Sequence, residues 1–295
     1  MKNDVILSII IPFYNTKEFI LETLNSILKQ DNIDQKLVEI IIVDDGSSQK
    51  IDDILGNFKN KLSIFYYKKN NLCNGQYITI IDSDDIYESN SLQYVFEELI
   101  KKSPDMLIGN FTDWDSKRNK KNKKKILFLN KNKFATITNK NKYILKTPYS
   151  FPLGKFYRRE VFLMSSELKE GVFYQDINLY YNCLENSKNF VFMNKVLAHH
   201  RNDRIDSSSN IKWDFKKLDQ WIYVLEFLIS KDAAMNAIFY ATVPGFKTKF
   251  KKENKPKIIF NKVHNCYLPK VLYSLSMIYV FFIIKTYKIF KKNKF

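Results

Sequence analysis

Tyr77-Ile78-Thr79-Ile80-Ile81-Asp82-Ser83-Asp84-Asp85 is the stretch on which the reading of this 295-residue chain turns. Tyr77 to Ile81 is aromatic, aliphatic or β-branched throughout, the composition of a buried strand. The strand then runs directly into three carboxylates. Carboxylates this close repel one another unless positive charge sits among them. Two readings follow. A hard divalent cation such as Mg²⁺ or Mn²⁺ takes oxygen ligands here and grips a substrate phosphate, or the segment is an Asp-rich turn or helix cap.

The segments before it decide where those carboxylates lie. Val5 to Pro12 is a continuous apolar run, as in a strand covered on both faces. Val38 to Val43 reads as a second buried strand and ends in Asp44-Asp45-Gly46-Ser47-Ser48. Leu62 to Tyr67 is a third, which makes Tyr77 to Ile81 the fourth. Helical stripes alternate with them. Ile20, Leu24, Ile27 and Leu28 follow Asn15, a candidate N-cap with Glu18 three residues on. Ile51, Ile54, Leu55 and Phe58 form the next stripe, and Leu92, Val95, Phe96 and Leu99 the one after. The alternation predicts a three-layer α/β domain with a mostly parallel central sheet. Ligands of such sheets sit outside the carboxyl ends of the strands, where Asp44, Asp45, Asp82, Asp84 and Asp85 all fall.

Charge and cysteine usage narrow the function classes. The net charge of +17 suits phosphate-rich ligands or an anionic membrane surface. No recognisable nucleic-acid motif accompanies it, so nucleic acid is not an expected partner. Cys73, Cys183 and Cys266 are far apart and form neither a metal spacing nor a disulfide framework, which fits a reducing cytoplasm. The amino-terminal residues lack the layout of a signal peptide.

Beyond Met106, Met106 to Phe111 reads as a strand and the basic run Lys117 to Lys125 as a solvated loop. Order returns between Ser150 and Asn210, and residues 211–295 read as a helical extension. Within the extension, Val271 to Ile284 is apolar and aromatic and is followed by Lys285, Lys288, Lys291, Lys292 and Lys294. The uninterrupted stretch is shorter than the roughly 20 residues of a membrane span. An interfacial helix with snorkelling lysines, over residues 271–295, fits it better.

Three ordered motifs, Ser8-Ile9-Ile10-Ile11-Pro12-Phe13-Tyr14-Asn15, Val43-Asp44-Asp45-Gly46-Ser47-Ser48 and Asp82-Ser83-Asp84-Asp85, resemble the family 2 inverting glycosyltransferases of GT-A fold. The resemblance continues through Pro152 to Arg159, Phe173-Tyr174-Gln175-Asp176, His199-His200-Arg201 and Ser207 to Ser209. It implies a GT-A domain over residues 1–210, with a nucleotide-binding half (1–105) and an acceptor half (106–210). It also implies transfer of a sugar, with inversion, from a UDP-linked donor to a glycan or lipid-linked acceptor. The setting implied is cell-surface polysaccharide synthesis, with the enzyme peripheral on the inner face of the cytoplasmic membrane. Pro12, Tyr14, Asp44, Asp45, Asp82 and Ser83 would contact the donor. Asp82, Asp84 and Asp85 would hold Mn²⁺ or Mg²⁺, which stabilises the departing nucleoside diphosphate. Asp176 would be the general base, at a helix start that favours the ionised carboxylate. Lys155, Gln175, His199, His200 and Arg201 would contact the acceptor or the diphosphate.

The chain departs from that family at one place. The nine-residue connection Lys68 to Gln76 lacks the usual Gly-Ser-Ala-Arg-Asn type run. It is also shorter than the dozen residues that a helical crossover between parallel strands needs. A second reading is therefore a catalytically weak or inactive member that serves as a membrane-associated partner subunit. A third is a Mg²⁺-dependent phosphotransferase of the haloacid dehalogenase type, which also ends a buried strand in Asp-x-Asp. That reading leaves Ser8 to Asn15 unexplained. A Rossmann dehydrogenase is disfavoured, because the seven glycines form no Gly-x-Gly-x-x-Gly.

Overall fold

A computed structural model describes residues 5–58, 61–67, 73–117, 120–124, 132–138, 145, 151–165, 172, 175–204, 220, 223–224, 226–228 and 230–231. Two compact units are present: Met1–Leu145 with Phe151–Glu167 and Asn182–Ile205, and Lys146–Ser150 with Leu168–Tyr181 and Asp206–Phe295. Phe173, Tyr174, Ser207 to Ser209, most of the expected extension 211–295 and its apolar segment 271–284 lie outside the described residues.

The first unit is built on a ten-stranded sheet. Strands β1 (Leu7–Phe13), β2 (Val38–Asp44), β3 (Ser63–Tyr67) and β4 (Tyr77–Ile80) lie side by side in the order β3-β2-β1-β4, all parallel. Leu7, Ile9, Ile11 and Phe13 are fully buried on one face of β1, each contributing about 1.5–3 kcal/mol of burial. Helix α1 (Lys17–Leu28) follows β1 and buries Ile20, Thr23, Leu24 and Ile27. Helix α2 (Asp52–Gly56) follows β2, and β5 (Ile86–Tyr87) and α3 (Ser91–Lys102) follow β4. Helix α3 buries Leu92, Val95, Phe96 and Leu99, so its stripe falls where the sequence places it.

The sheet then changes character. β6 (Met106–Asp115), β7 (Lys120–Lys124), β8 (Lys133–Thr136), β9 (Lys155–Arg158) and β10 (Asn189–Arg201) complete it. β9 runs antiparallel between β4 and β6, which turns β6 and its parallel neighbour β10 back to the direction of β4. β5 and β8 pair antiparallel with β10. Six of the ten strands thus share one direction, and β4, β6 and β10 end at the same sheet edge. Helices α4 (Arg159–Ser165) and α5 (Gln175–Asn186) connect β9 to β10. In the second unit Tyr181 meets Tyr180 and Phe227 edge-on, with ring centroids 5.4 and 6.5 Å apart, and Val224 and Leu228 are fully buried.

One expectation needs correction. The basic run Lys117 to Lys125 is not simply a loop, because Lys120–Lys124 pairs with β6 in the register Asp115↔Lys120 and Asp113↔Asn122. The β6 backbone supplies a ladder, and a lysine-rich strand suits an outer position where like charge discourages further pairing.

The short link does not alter the order of the strands. From the end of β3 to the start of β4 the chain must return about five residues along the sheet and cross three strand spacings, roughly 22 Å in all. Ten Cα steps reach about 33 Å, so no helix is required. The described end of the link is fastened by a buried carboxylate. Glu39 accepts the Ser8 hydroxyl at 2.6 Å, the Asn74 amide N–H at 2.5 Å, the Asn74 side chain at 3.0 Å and the Gly75 N–H at 3.3 Å. The Gly75 N–H also donates to Ser8 Oγ at 2.9 Å. A Cβ at Gly75 would lie 2.6 Å from the Ser8 nitrogen, so only glycine allows this approach. In the row that crosses the sheet here, Phe65 is 41% exposed, Ile41 is buried, and Ile10 and Ile80 are half-buried. Glu39→Ala should lower unfolding stability by about 2–4 kcal/mol, because it strands buried donors. Urea denaturation should show Glu39→Gln losing less.

Candidate active site

The parallel strands bring their carboxyl ends to one edge, and local hydrogen bonds shape what stands there. Beyond β1, Asn15 adopts a left-handed conformation with φ 50°. Its Oδ1 accepts the Ser47 hydroxyl at 2.9 Å and the Ser48 amide at 3.0 Å, and its own N–H donates to Ser47 Oγ at 3.0 Å. Asn15 therefore ties the β1 loop to the β2 loop. The residue at the helix N-cap position is Thr16, which corrects the expected cap. Asp44 is buried and spends both oxygens inside the protein, accepting the Ser47 N–H and the Tyr66 hydroxyl, each at 2.7 Å. Burial and that bond push the Tyr66 phenol up to about 12, so it remains a donor. Pro12, Tyr14 and Asp45 are left exposed along the rim.

Beyond β4 the turn closes with the Asp85 N–H donating to the Asp82 carbonyl at 3.0 Å. Helix α1 clasps this turn. Thr16 Oγ1 lies 2.7 Å from the buried Ser83 hydroxyl, and Thr23 donates to the Ser83 and Asp85 carbonyls at 3.0 and 2.7 Å. The end of β10 secures it from the other side. Asp85 Oδ1 accepts the Arg201 N–H at 2.8 Å, and Arg201 Nε donates to the Asp84 carbonyl at 2.9 Å. The Arg201 guanidinium also pairs with Glu22 at 2.6 Å. It lies 4.9 Å from the ring centroid of Phe19 and 4.5 Å from that of Trp114. Arg204 Nη1 pairs with Asp84 Oδ2 at 2.9 Å.

The electrostatics reflect crowded negative charge. Asp85 is pushed well above the usual carboxylate range, first by burial and then by Asp82 and Asp84, against the opposing pull of His200. Asp82 is open to solvent at the sheet edge. Low-dielectric surroundings and the Asp84 charge raise it, while His200 and Arg204 pull it down.

Successive residues of β10 face opposite ways. His199 is buried, with Nδ1 2.6 Å from Thr112 Oγ1 and Nε2 3.0 Å from Glu88. His200 is partly exposed, sits 3.4 Å from Asp113 and stacks on Phe151 at 6.3 Å with an interplanar angle of 10°. Desolvation opposes its charge. The Asp113 bond and the charges of Asp85 and Asp82 outweigh that and hold it up to about 9.

The structure therefore sorts the expected site residues. Pro12, Tyr14, Asp45, Asp82 and His200 reach the open edge. Asp44, Ser83, Asp85, His199 and Arg201 brace it from within. Lys155, expected at a substrate or in solvent, is fully buried, and its ammonium donates to the Phe151 carbonyl. Gln175 and Asp176 open α5, both half-buried, in the second unit. The sequence reading missed Thr16, Thr23, Glu22, Trp114 and Asp113. Thr23 lies between Ile20 and Ile27 on the helix stripe, a polar residue on an apolar face, and that was the available signal.

Among the described residues no three His, Cys, Asp or Glu side chains form a cage for a metal. Mg²⁺ does not require one, because it is commonly held by one or two carboxylates together with substrate phosphates and water. Asp82 and Asp84, whose mutual repulsion calls for a cation, fit that donor set.

Comparisons with known proteins bear on the family and the fold. The glycosyl transferase family 2 pattern matches residues 8–163. An uncharacterized glycosyltransferase of Mycoplasma pneumoniae is 29% identical over 288 residues, spanning 92% of this chain and 93% of that one. The glycosyltransferase GlyG of Streptococcus pneumoniae is 32% identical over 124 residues, spanning 37% and 40%. Among solved structures, S. aureus TarS (residues 1–349, in complex with UDP-GlcNAc) shares the fold with a TM-score of 0.67. Sequence identity is 16%, over 85% of this chain and 76% of that one. These findings remove the haloacid dehalogenase reading. The chain belongs to glycosyl transferase family 2.

Proposed function

We propose that the protein transfers a sugar, with inversion, from a UDP-linked donor to a glycan or lipid-linked acceptor in cell-surface polysaccharide synthesis. The observation that carries this reading is the convergence, on one sheet edge, of the exposed rim Pro12, Tyr14 and Asp45 with the braced Asp82–Asp85 turn. The likeness to TarS, a protein described with UDP-GlcNAc, supports the choice of donor. Among the described residues no helix is long and apolar enough to cross a membrane. The peripheral membrane setting rests on the basic, aromatic segment 271–295.

In this proposal Pro12, Tyr14 and Asp45 hold the nucleotide, and Asp82 and Asp84 would hold Mn²⁺ or Mg²⁺. The ion, when bound, offsets the charge that builds on the leaving group. His200, held protonated near neutral pH, adds positive charge beside the same carboxylates. Asp176 takes the proton of the acceptor hydroxyl. The freed oxygen attacks the anomeric carbon on the face opposite the diphosphate, and the bond to the diphosphate breaks, which inverts the centre.

Three measurements test these assignments. Calorimetry with UDP and Mn²⁺ should show binding to the wild type and at least a tenfold loss in Asp82→Asn, and absence of wild-type binding would sink the active-enzyme reading. In a nucleotide-sugar transfer assay, Asp176→Asn should lower kcat by about 10²–10⁴ with UDP affinity unchanged. Retained turnover would remove Asp176 as base. An NMR titration should place the His200 midpoint above 8, and Asp113→Asn should move it toward the ordinary value of about 6.5. Because folding raises this pKa, the stability His200 contributes is complete below about 6.5 and is lost as pH rises through about 9.

A further inference from the structure

Arg204 occupies a carboxylate oxygen that a divalent cation would also need. Its guanidinium sits 2.9 Å from Asp84 Oδ2, and the two side chains are only 16% and 12% exposed. A pair so shielded is far harder to open than a surface ion pair, because each partner would be left as an uncompensated, poorly hydrated charge. A metal ion arriving alone at Asp84 must displace the guanidinium and then sit beside it, cation against cation. Diphosphate oxygens change that balance, since a guanidinium forms bidentate bonds to phosphate as readily as to carboxylate.

Arg204 lies beyond the end of β10, and besides its pair with Asp84 its guanidinium carbon sits 5.9 Å from the ring centroid of Phe19. The backbone before it is anchored by the Asn202 N–H to the Trp114 carbonyl at 3.0 Å, and the Asp203 carboxylate accepts the Ser116 hydroxyl at 2.7 Å. The Arg201 guanidinium is held by Glu22 and the Asp84 carbonyl and packed against Phe19 and Trp114.

We infer that Arg204 makes metal binding depend on the donor. Without donor its guanidinium holds Asp84. When a nucleoside diphosphate enters, Arg204 moves to the phosphate oxygens and Asp84 is released to the metal. Asp84 exchanges one cation for another and Arg204 exchanges a carboxylate for a phosphate, so no charge is left unpaired. By reciprocity the metal must tighten the nucleotide by the factor by which the nucleotide tightens the metal. The inference rests on the proposal that Asp82 and Asp84 form the metal–diphosphate site.

Titration calorimetry on the full chain, with Mn²⁺ alone, UDP alone and Mn²⁺ at saturating UDP, tests it on the wild type, Arg204→Gln and Arg204→Lys. The wild type should bind Mn²⁺ weakly alone and at least tenfold more tightly with UDP. Arg204→Gln should bind Mn²⁺ alone about tenfold more tightly than the wild type, with the coupling factor falling toward one. Arg204→Lys, which keeps the charge, should retain part of the coupling. Mn²⁺ electron paramagnetic resonance of the same samples gives the bound fraction independently of enthalpy. If the wild type binds Mn²⁺ and UDP together but Arg204→Gln leaves the metal-alone affinity or the coupling unchanged, this inference alone is overturned. If the wild type binds neither, the donor-site proposal falls and this inference falls with it.

Discussion

The first unit is arranged around the repulsion among Asp82, Asp84 and Asp85. A strand that delivers three carboxylates to one turn stores unfavourable charge, and the chain answers it from two directions. Helix α1 fixes the turn through neutral hydroxyls, with Thr16 and Thr23 holding Ser83 and the backbone. The end of β10 and the residues just beyond it supply positive charge through His200, Arg201 and Arg204. The compensation is uneven. Arg201 is locked between aromatic rings and serves as a fixed strut, whereas Asp82 stays open at the edge with its ionisation penalised. The site is thus rigid in its frame and left with a demand for a further cation where a substrate phosphate would arrive.

A second constraint acts at the opposite edge. The link into β4 is only nine residues long, yet β4 still pairs with β1, and Glu39 holds the described end of the link. Sheet order and carboxylate placement do not depend on a helix in that link. On one face of the sheet Phe65 is exposed, while Ile41 beside it is buried.

Much of this was legible in the sequence because it rests on local patterns. The runs at β1, β2 and β4 are apolar enough to have only one use, and the stripes of α1 and α3 have the helical period. Which carboxylate serves which purpose was not legible. Asp44 and Asp45 are adjacent and chemically alike, and only the partners Ser47 and Tyr66 show that Asp44 is committed inward. His199 and His200 divide in the same way, by strand alternation against neighbours from β6. The β7 strand was hidden because its lysines carry no strand propensity of their own and pair only because the β6 edge is there.

By itself, then, the sequence determined the alternating α/β order, the strand ends that carry acidic residues and the family to which those motifs belong. All of these are written in residues adjacent along the chain. The tertiary structure decided which side chains reach solvent and which are braces, and that β10 runs parallel to β6, bringing His200, Arg201 and Arg204 to the carboxylate turn. That decision needs contacts between residues more than a hundred positions apart, such as Asp84 and Arg204. Loop closure and sheet register set such contacts, and no local pattern records them.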